Sequence, residues 1–189
     1  MRYADAHKKL EAARKKISAL REEMKELTKA VEPEPVEDYA LSMASGPVKL
    51  SELFGGKEDL IVIHNMGASC SACTMWADGF NGILDHLQAR AAFVVVSPDP
   101  PAAQQKFASG RGWRFPMASH QGTEFANDMG YRSPEGKWHP GVSAFRKVDG
   151  KVVRVNDTPL GPYDDFNAAW HLFALLPDGT KDWWPKFKY

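Results

Sequence analysis

Two cysteines, Cys70 and Cys73, are the only ones in the chain, and they stand as a C-x-x-C pair, Cys70-Ser71-Ala72-Cys73. Directly before them runs an apolar stretch, Leu60-Ile61-Val62-Ile63, and directly after them a helix-compatible stretch, Thr74 to Arg90. That order places the first sulfur at a helix N-terminus. Unpaired backbone N–H groups and the positive end of the helix dipole stabilise a thiolate there. The second sulfur falls one helical turn further on, where it can attack a mixed disulfide and release a bound partner. The chemistry expected of this pair is thiol–disulfide exchange, with Cys70 as nucleophile and Cys73 as resolving thiol.

Other chemistry for the pair is weighed on the same residues. A structural zinc site needs four ligands, usually two such pairs, and no second pair exists. His64, His120 or His139 could add a nitrogen, but none has finger-like spacing to the cysteines. A copper- or zinc-binding module built on Cys70, Cys73 and a histidine therefore stays as an alternative. Two inert core thiols form the plainest reading, and the small or polar Ser69, Ser71 and Ala72 speak against it.

The elements that must position the cysteines follow from patterning. Leu60 to Asn65 reads as a central strand, and the continuous apolar run Ala92-Phe93-Val94-Val95-Val96-Ser97 as a parallel strand buried on both faces. Pro98, Pro100 and Pro101 end the second strand, and Pro101 suits the first turn of a helix over Ala102 to Ser109. Trp113 to Ser119 is a candidate short extended segment. Asp149-Gly150, flanked by Val142-Ser143-Ala144-Phe145 and Lys151-Val152-Val153-Arg154-Val155, signals a hairpin. Asp164 to Leu176 reads as an amphipathic helix. The expected order is β-α-β-α, then a hairpin and a helix. This is the order of an α/β, thioredoxin-like fold: a mixed central sheet flanked by helices, with the active loop at the C-terminal end of a strand.

Residues 3 to 31 read as one long helical extension. Tyr3, Ala6, Leu10, Ala13, Ile17, Leu20, Met24, Leu27 and Val31 recur at alternating steps of three and four, which is a heptad seam. Lys, Arg and Glu fill the other faces, with Glu11–Lys15 a favourable pair one turn apart. The seam predicts association with another helix, most simply a homo-oligomer, the other reading being a stripe that covers the domain's own surface. A non-catalytic interaction protein acting through this helix is a further alternative to the redox function. Pro33 and Pro35 stop the helix. The domain plan is a heptad-patterned helix over 1–32, a linker over 33–38, the thioredoxin-like domain over 39–176 and an aromatic tail over 177–189. Trp183, Trp184, Phe187 and Tyr189 in the tail are expected to dock onto the domain.

Further site residues come from the thioredoxin pattern, in which a cis-proline precedes the hairpin and faces the C-x-x-C. Pro140 stands in that place, before Gly141-Val142-Ser143. The pattern predicts a cis His139–Pro140 bond that exposes the backbone of His139 to a substrate strand. Pro140, His139, Ser71 and Ala72 together form the expected substrate groove. His64, on the strand leading to the motif, could tune the thiol or be a hydrogen-bonded structural residue.

Several longer stretches also resemble a known group. Leu53-Phe54-Gly55-Gly56-Lys57 with Leu60-Ile61-Val62-Ile63-His64, and the C-x-x-C followed by Trp76-Ala77-Asp78-Gly79-Phe80-Asn81-Gly82, carry part of the likeness. His86-Leu87-Gln88-Ala89-Arg90, Val94-Val95-Val96-Ser97, Gly112-Trp113-Arg114-Phe115-Pro116 and Pro140-Gly141-Val142-Ser143 carry the rest. The combination resembles the bacterial thioredoxin-like family designated domain of unknown function 899, from the N-terminal helix to about Leu160-Gly161. The resemblance implies a thioredoxin-like fold and a dithiol–disulfide oxidoreductase that needs no bound cofactor. The chain departs from the family pattern in its short loop between His64 and Cys70 and in having no proline after the first cysteine. The peroxiredoxin signature P-x-x-x-T-x-x-C is not met either, because Gly67 stands in the place of the threonine and Ile63 in that of the proline.

Composition narrows the partners. The 24 basic and 24 acidic residues cancel among 189, which disfavours a general attraction to nucleic acid or an anionic membrane. No apolar run approaches a membrane span, and the charged N-terminus has no secretory pattern. Protein or small-molecule disulfides and thiols are the expected partners. The cytosol, where a C-x-x-C cycles rather than staples, is the expected location.

Overall fold

The computed structural model describes residues 1–189 as two compact units, Met1–Pro33 and Glu34–Tyr189. The first unit is a single helix, α1 (Tyr3–Ala30), which buries none of its residues. Taken by itself, it carries the heptad seam from Tyr3 to Leu27, with Val31 at its C-cap.

The second unit is built on one eight-stranded mixed sheet. Its strands are β1 (Glu34–Pro35), β2 (Ala40–Met43), β3 (Gly46–Lys49), β4 (Asp59–His64), β5 (Ala92–Ser97), β6 (Met117–Ser119), β7 (Gly141–Val148) and β8 (Lys151–Pro159). They lie in the order β1-β8-β7-β4-β5-β6-β2-β3. β4, β5 and β6 are parallel, with Val62 opposite Val94 and Val96 opposite Ala118. β7 runs antiparallel to β4, with His64 opposite Gly141. β7 and β8 form the hairpin that Asp149-Gly150 announced, and both turn residues have positive φ, 50° and 77°. That conformation suits a tight two-residue turn between twisted strands.

Helices α2 (Ser71–Gly82), α3 (Leu84–Arg90), α4 (Pro101–Arg111), α5 (Phe125–Asp128) and α6 (Ala168–Phe173) complete the unit. The stretch expected as one helix after the cysteines is two, broken at Ile83 just after Gly82. Glycine is a poor helix former, and with Gly79 one turn earlier it weakens the run at that point. Pro101 opens α4 as expected, and Gly112 closes it in the left-handed region, at φ 69°. The helix expected over 164–176 shrinks to six residues. Asp164 instead folds a turn, accepting from the amides of Gly161 and Phe166, and Asn167 caps α6 through the amide of Ala169. Such short polar side chains compete with the backbone and favour turns and caps over helix interiors.

The segment expected as a linker is partly sheet. Glu34 and Pro35 pair with Arg154 and Val153 on β8, and Asp38 accepts from the amide and hydroxyl of Ser51. Proline is tolerated there because β1 is an edge strand. The aromatic tail belongs to the same unit: Trp183 and Trp184 pack on buried Trp170, and Arg111 reaches the carbonyl of Phe187.

Two clusters of buried side chains lie on the two faces of the sheet. Along β4 the residues alternate, as strand geometry requires. Leu60 and Val62 join Phe54, Val94, Phe125, Tyr131 and Phe145. Ile63 joins Cys73, Trp76, Phe80, Phe93, Val95 and Leu160.

Candidate active site

β4 delivers the chain to the end of the sheet, a five-residue loop follows, and α2 begins at the cysteines. Asn65 continues the ladder by donating its amide to Val96, and its side chain accepts from the amide of Gly67. The amide of Ala68 donates to Asp99, at 2.8 Å, across from the end of β5. Gly67 has φ 102°, and a Cβ there would fall 2.9 Å from an oxygen of Asp99. So the loop is pinned between β4 and the carboxylate that follows β5. Behind it, Gln104 of α4 holds Ser97 through a 2.9 Å bond and also donates to the carbonyl of Ala118.

Cys70 is the N-cap of α2, half-buried and in extended conformation. Its sulfur accepts from the amide of Cys73 at 3.0 Å, and its carbonyl accepts from both the amide and the hydroxyl of Thr74. Cys73 is 3% exposed and packs inside the cluster with Trp76 and Phe80. The two residues are joined as a disulfide with Cα atoms 5.2 Å apart, within the range such bonds adopt. Cys70 is the partly exposed residue of the two, its sulfur supported by a helix amide, and Cys73 is enclosed beside it. That asymmetry is what nucleophile and resolving thiol require.

The remaining expected residues divide. Ser71 is half-buried and Ala72 buried, both in the first turn of α2. Pro140 is half-buried and precedes β7, at the sheet end where β4 hands over to the loop; its carbonyl accepts from the amide of Leu160. The His139–Pro140 bond is trans, not cis as the pattern predicts. The amide of His139 donates to the carbonyl of Tyr131 at 2.9 Å, so it is already paired and not offered to a substrate strand. The bridge between Arg132 and Trp138 makes this segment a small turn of its own, which fixes its path without a cis bond.

His64 lies on the other face of the sheet from α2. Its Nε2 pairs with the hydroxyl of Ser143 at 2.9 Å, and its ring stacks on Tyr131, 3.8 Å between centroids, and on Phe125. Burial, with His120 and Arg154 nearby, drives its pKa well below the usual histidine range, so it stays neutral. The structural reading of His64 is the one these contacts favour over tuning of the thiol. His120 is buried beside Trp138, and burial lowers its pKa to about 4. No group of three His, Cys, Asp or Glu side chains converges in a way that could hold a metal ion, which removes support from the copper or zinc alternative.

Sequence reasoning passed over Asp99, Asn65 and Gln104. Asp99 sits in a proline-broken loop, and only the parallel pairing of β4 with β5 brings that loop beside the residues before Cys70. Asn65 and Ser97, polar residues ending two apolar strands, were the available signal.

A mixed sheet with a C-x-x-C at the end of a central strand and a following helix defines a thioredoxin-fold protein. The comparisons agree. Peroxidoxin BcpB from Mycobacterium tuberculosis is similar at 26% identity and TM-score 0.57, over 72% of this chain and 88% of that one. Reduced Prx3 from Vibrio vulnificus is similar at 16% identity and TM-score 0.57, over 77% and 97%. A peroxiredoxin-like protein from Aquifex aeolicus is similar at 15% and 0.54, over 68% and 75%. No curated protein matches the sequence. The chain belongs to the bacterial family described as "Bacterial protein of unknown function (DUF899)", which it matches over residues 1–188.

Proposed function

We propose that this protein is a dithiol–disulfide oxidoreductase acting on protein or small-molecule disulfides. The observation that carries the reading is the pairing of half-buried Cys70, at the N-cap of α2, with enclosed Cys73. In the reducing direction the Cys70 thiolate attacks one sulfur of the partner disulfide, and the other leaves as a thiolate. Cys73, deprotonated, then attacks the Cys70 sulfur and expels the second partner thiol. Two electrons pass to the partner, and the enzyme is left as the Cys70–Cys73 disulfide. A thiol reductant restores the dithiol by the reverse exchange. Ser71, Ala72 and Pro140 border the approach to Cys70 in this reading. We place the cycle in the cytosol, whose thiol pools would keep it turning.

The named neighbours are peroxidoxins and peroxiredoxins, so peroxide is the substrate to test against disulfides. Gly67 weighs against it. The threonine of the peroxiredoxin signature would need a Cβ where Asp99 stands and an L-residue in the left-handed region. No helix is long and apolar enough to cross a membrane. The seam of α1, with none of its residues buried, supports association through α1 as part of the same proposal.

The test is turnover of insulin disulfides with dithiothreitol as reductant, run beside hydrogen peroxide consumption. The parent should reduce insulin well above the dithiothreitol background, and Cys70→Ser should fall to that background. Peroxide consumption that exceeds disulfide turnover, and persists in Cys73→Ser, would assign the site to a thiol peroxidase instead.

A further inference from the structure

We infer that α1 pairs with α1 of a second copy in antiparallel orientation, in one defined register. The inference rests on association through α1 and not on the thiol chemistry. The seam is exposed along its length: Leu10 is 53%, Leu20 58%, Met24 66% and Leu27 63% accessible. Two properties of the sequence decide how it is covered.

The first is volume. Tyr3, Leu10, Ile17, Met24 and Val31 occupy one seam position of the heptad, and Ala6, Ala13, Leu20 and Leu27 the other. In a parallel pair each residue meets its own copy, so Ala6 faces Ala6 and Ala13 faces Ala13. Two gaps then open in a seam that has few layers. In an antiparallel pair the two positions face each other. With Ile17 set against Leu20 of the second copy, Leu10 meets Leu27, Ala13 meets Met24 and Ala6 meets Val31. Every alanine is then matched by a larger side chain, which is how close packing is kept without voids.

The second is charge. The positions flanking the seam are Arg2, Lys9, Lys16 and Glu23 on one side and His7, Arg14, Arg21 and Thr28 on the other. In a parallel pair the two sides face each other between heptads, which sets Lys9 against Arg14 and Lys16 against Arg21 with no opposite charge in return. In the antiparallel register each side faces itself. Lys16 then meets Glu23 of the second copy, twice by symmetry, while Arg14 against Arg21 remains as the one like pair, also twice. Charges at these positions set partner orientation in coiled coils. The parallel form collects only repulsion here, and the antiparallel form balances it.

The consequence is geometric. Val31 of each copy lies beside Ala6 of the other, so the two chains leave the helix pair at opposite ends. At 1.5 Å per residue those exits are roughly 38 Å apart. The pair is a spacer between those two exits.

Cross-linking of the full-length chain tests this, in a Cys70→Ser, Cys73→Ser background under mild oxidation. Ala13→Cys combined with Met24→Cys should give a covalent dimer, and either alone at least about tenfold less. In the same background, Lys16→Glu should raise the dimer dissociation constant several-fold, because it turns Lys16–Glu23 contacts into like pairs. Parallel pairing would make Lys16→Glu tighten the dimer and let Ala13→Cys cross-link alone, and either result overturns the orientation. Sedimentation of the full-length parent as a 21.0 kDa monomer overturns the association itself, leaving the thiol chemistry untouched.

Discussion

The backbone amide of Cys73 donates to the sulfur of Cys70 at 3.0 Å. This places a helix N–H on the atom that must carry negative charge when the disulfide opens. The reduced Cys70 thiol should therefore ionise below the free-cysteine value of about 8.5, and Cys73, enclosed among Trp76 and Phe80, should ionise later. Iodoacetamide rates against pH, with the modified residue identified by mass, check this. Cys70 should be alkylated first at every pH below 8; prior alkylation of Cys73 contradicts the assignment.

The loop before Cys70 depends on Gly67 and Asp99. Gly67→Ala forces an L-residue to φ 102° and pushes a methyl group against the Asp99 carboxylate. A loss of about 1–3 kcal/mol in urea unfolding is expected. Asp99→Ala removes the acceptor of the Ala68 amide and should cost about 1.5–3 kcal/mol, the range for a hydrogen bond to a charged group. Unfolding midpoints equal to the parent's would show that the loop is held by something else.

Gly141 lies under the ring of Tyr131, so that any Cβ there would overlap the ring. The hydroxyl of Tyr131 donates to the carbonyl of Val142 at 3.0 Å, and burial pushes its pKa up to about 12, so it remains a donor at neutral pH. Gly141→Ala should destabilise the fold by about 1–3 kcal/mol through overpacking. Adding Tyr131→Ala to Gly141→Ala should make the second change cheaper than it is alone, as coupled neighbours do. Additive losses in the double-mutant cycle would separate the two residues.

His64 and His120 make the fold sensitive to acid. Both are buried neutral, with burial the first cause of their lowered pKa values. The unfolded chain takes up protons at these residues below about pH 6.5, and the folded chain resists until lower pH. Stability should be complete above pH 6.5 and fall as pH drops toward 4, by at most on the order of 3 kcal/mol from His120. Chemical denaturation at pH 7.5 and pH 5 measures it, and His120→Asn should reduce the difference, leaving the part that His64 supplies. A protein equally stable at both values refutes this account of the two histidines.

Much of the fold was legible because it rests on local patterns. The two continuous apolar runs became the central parallel strands β4 and β5, Asp149-Gly150 became the β7–β8 turn, and the heptad run became α1. Long-range pairing hid the rest. Ala40–Met43 is too short to read as a strand until β6 gives β2 a neighbour. Glu34-Pro35 looked like linker because prolines mark breaks, and β8 alone makes it an edge strand. At the site, Cys70 and Cys73 were readable from spacing. Asp99 was not, since its role is set by a contact across 31 positions of sequence. The trans bond before Pro140 was missed because a pattern drawn from other proteins stood in for the Tyr131–His139 pairing that this chain makes.

The central claim is that Cys70 attacks and Cys73 resolves, and trapping tests it most directly. Full-length Cys73→Ser, reduced and mixed with a protein disulfide such as insulin, should accumulate a mixed disulfide through Cys70 that only added thiol reverses. Cys70→Ser, treated alike, should accumulate none, because Cys73 is enclosed. A mixed disulfide formed through Cys73, or equal trapping by both variants, would contradict the account.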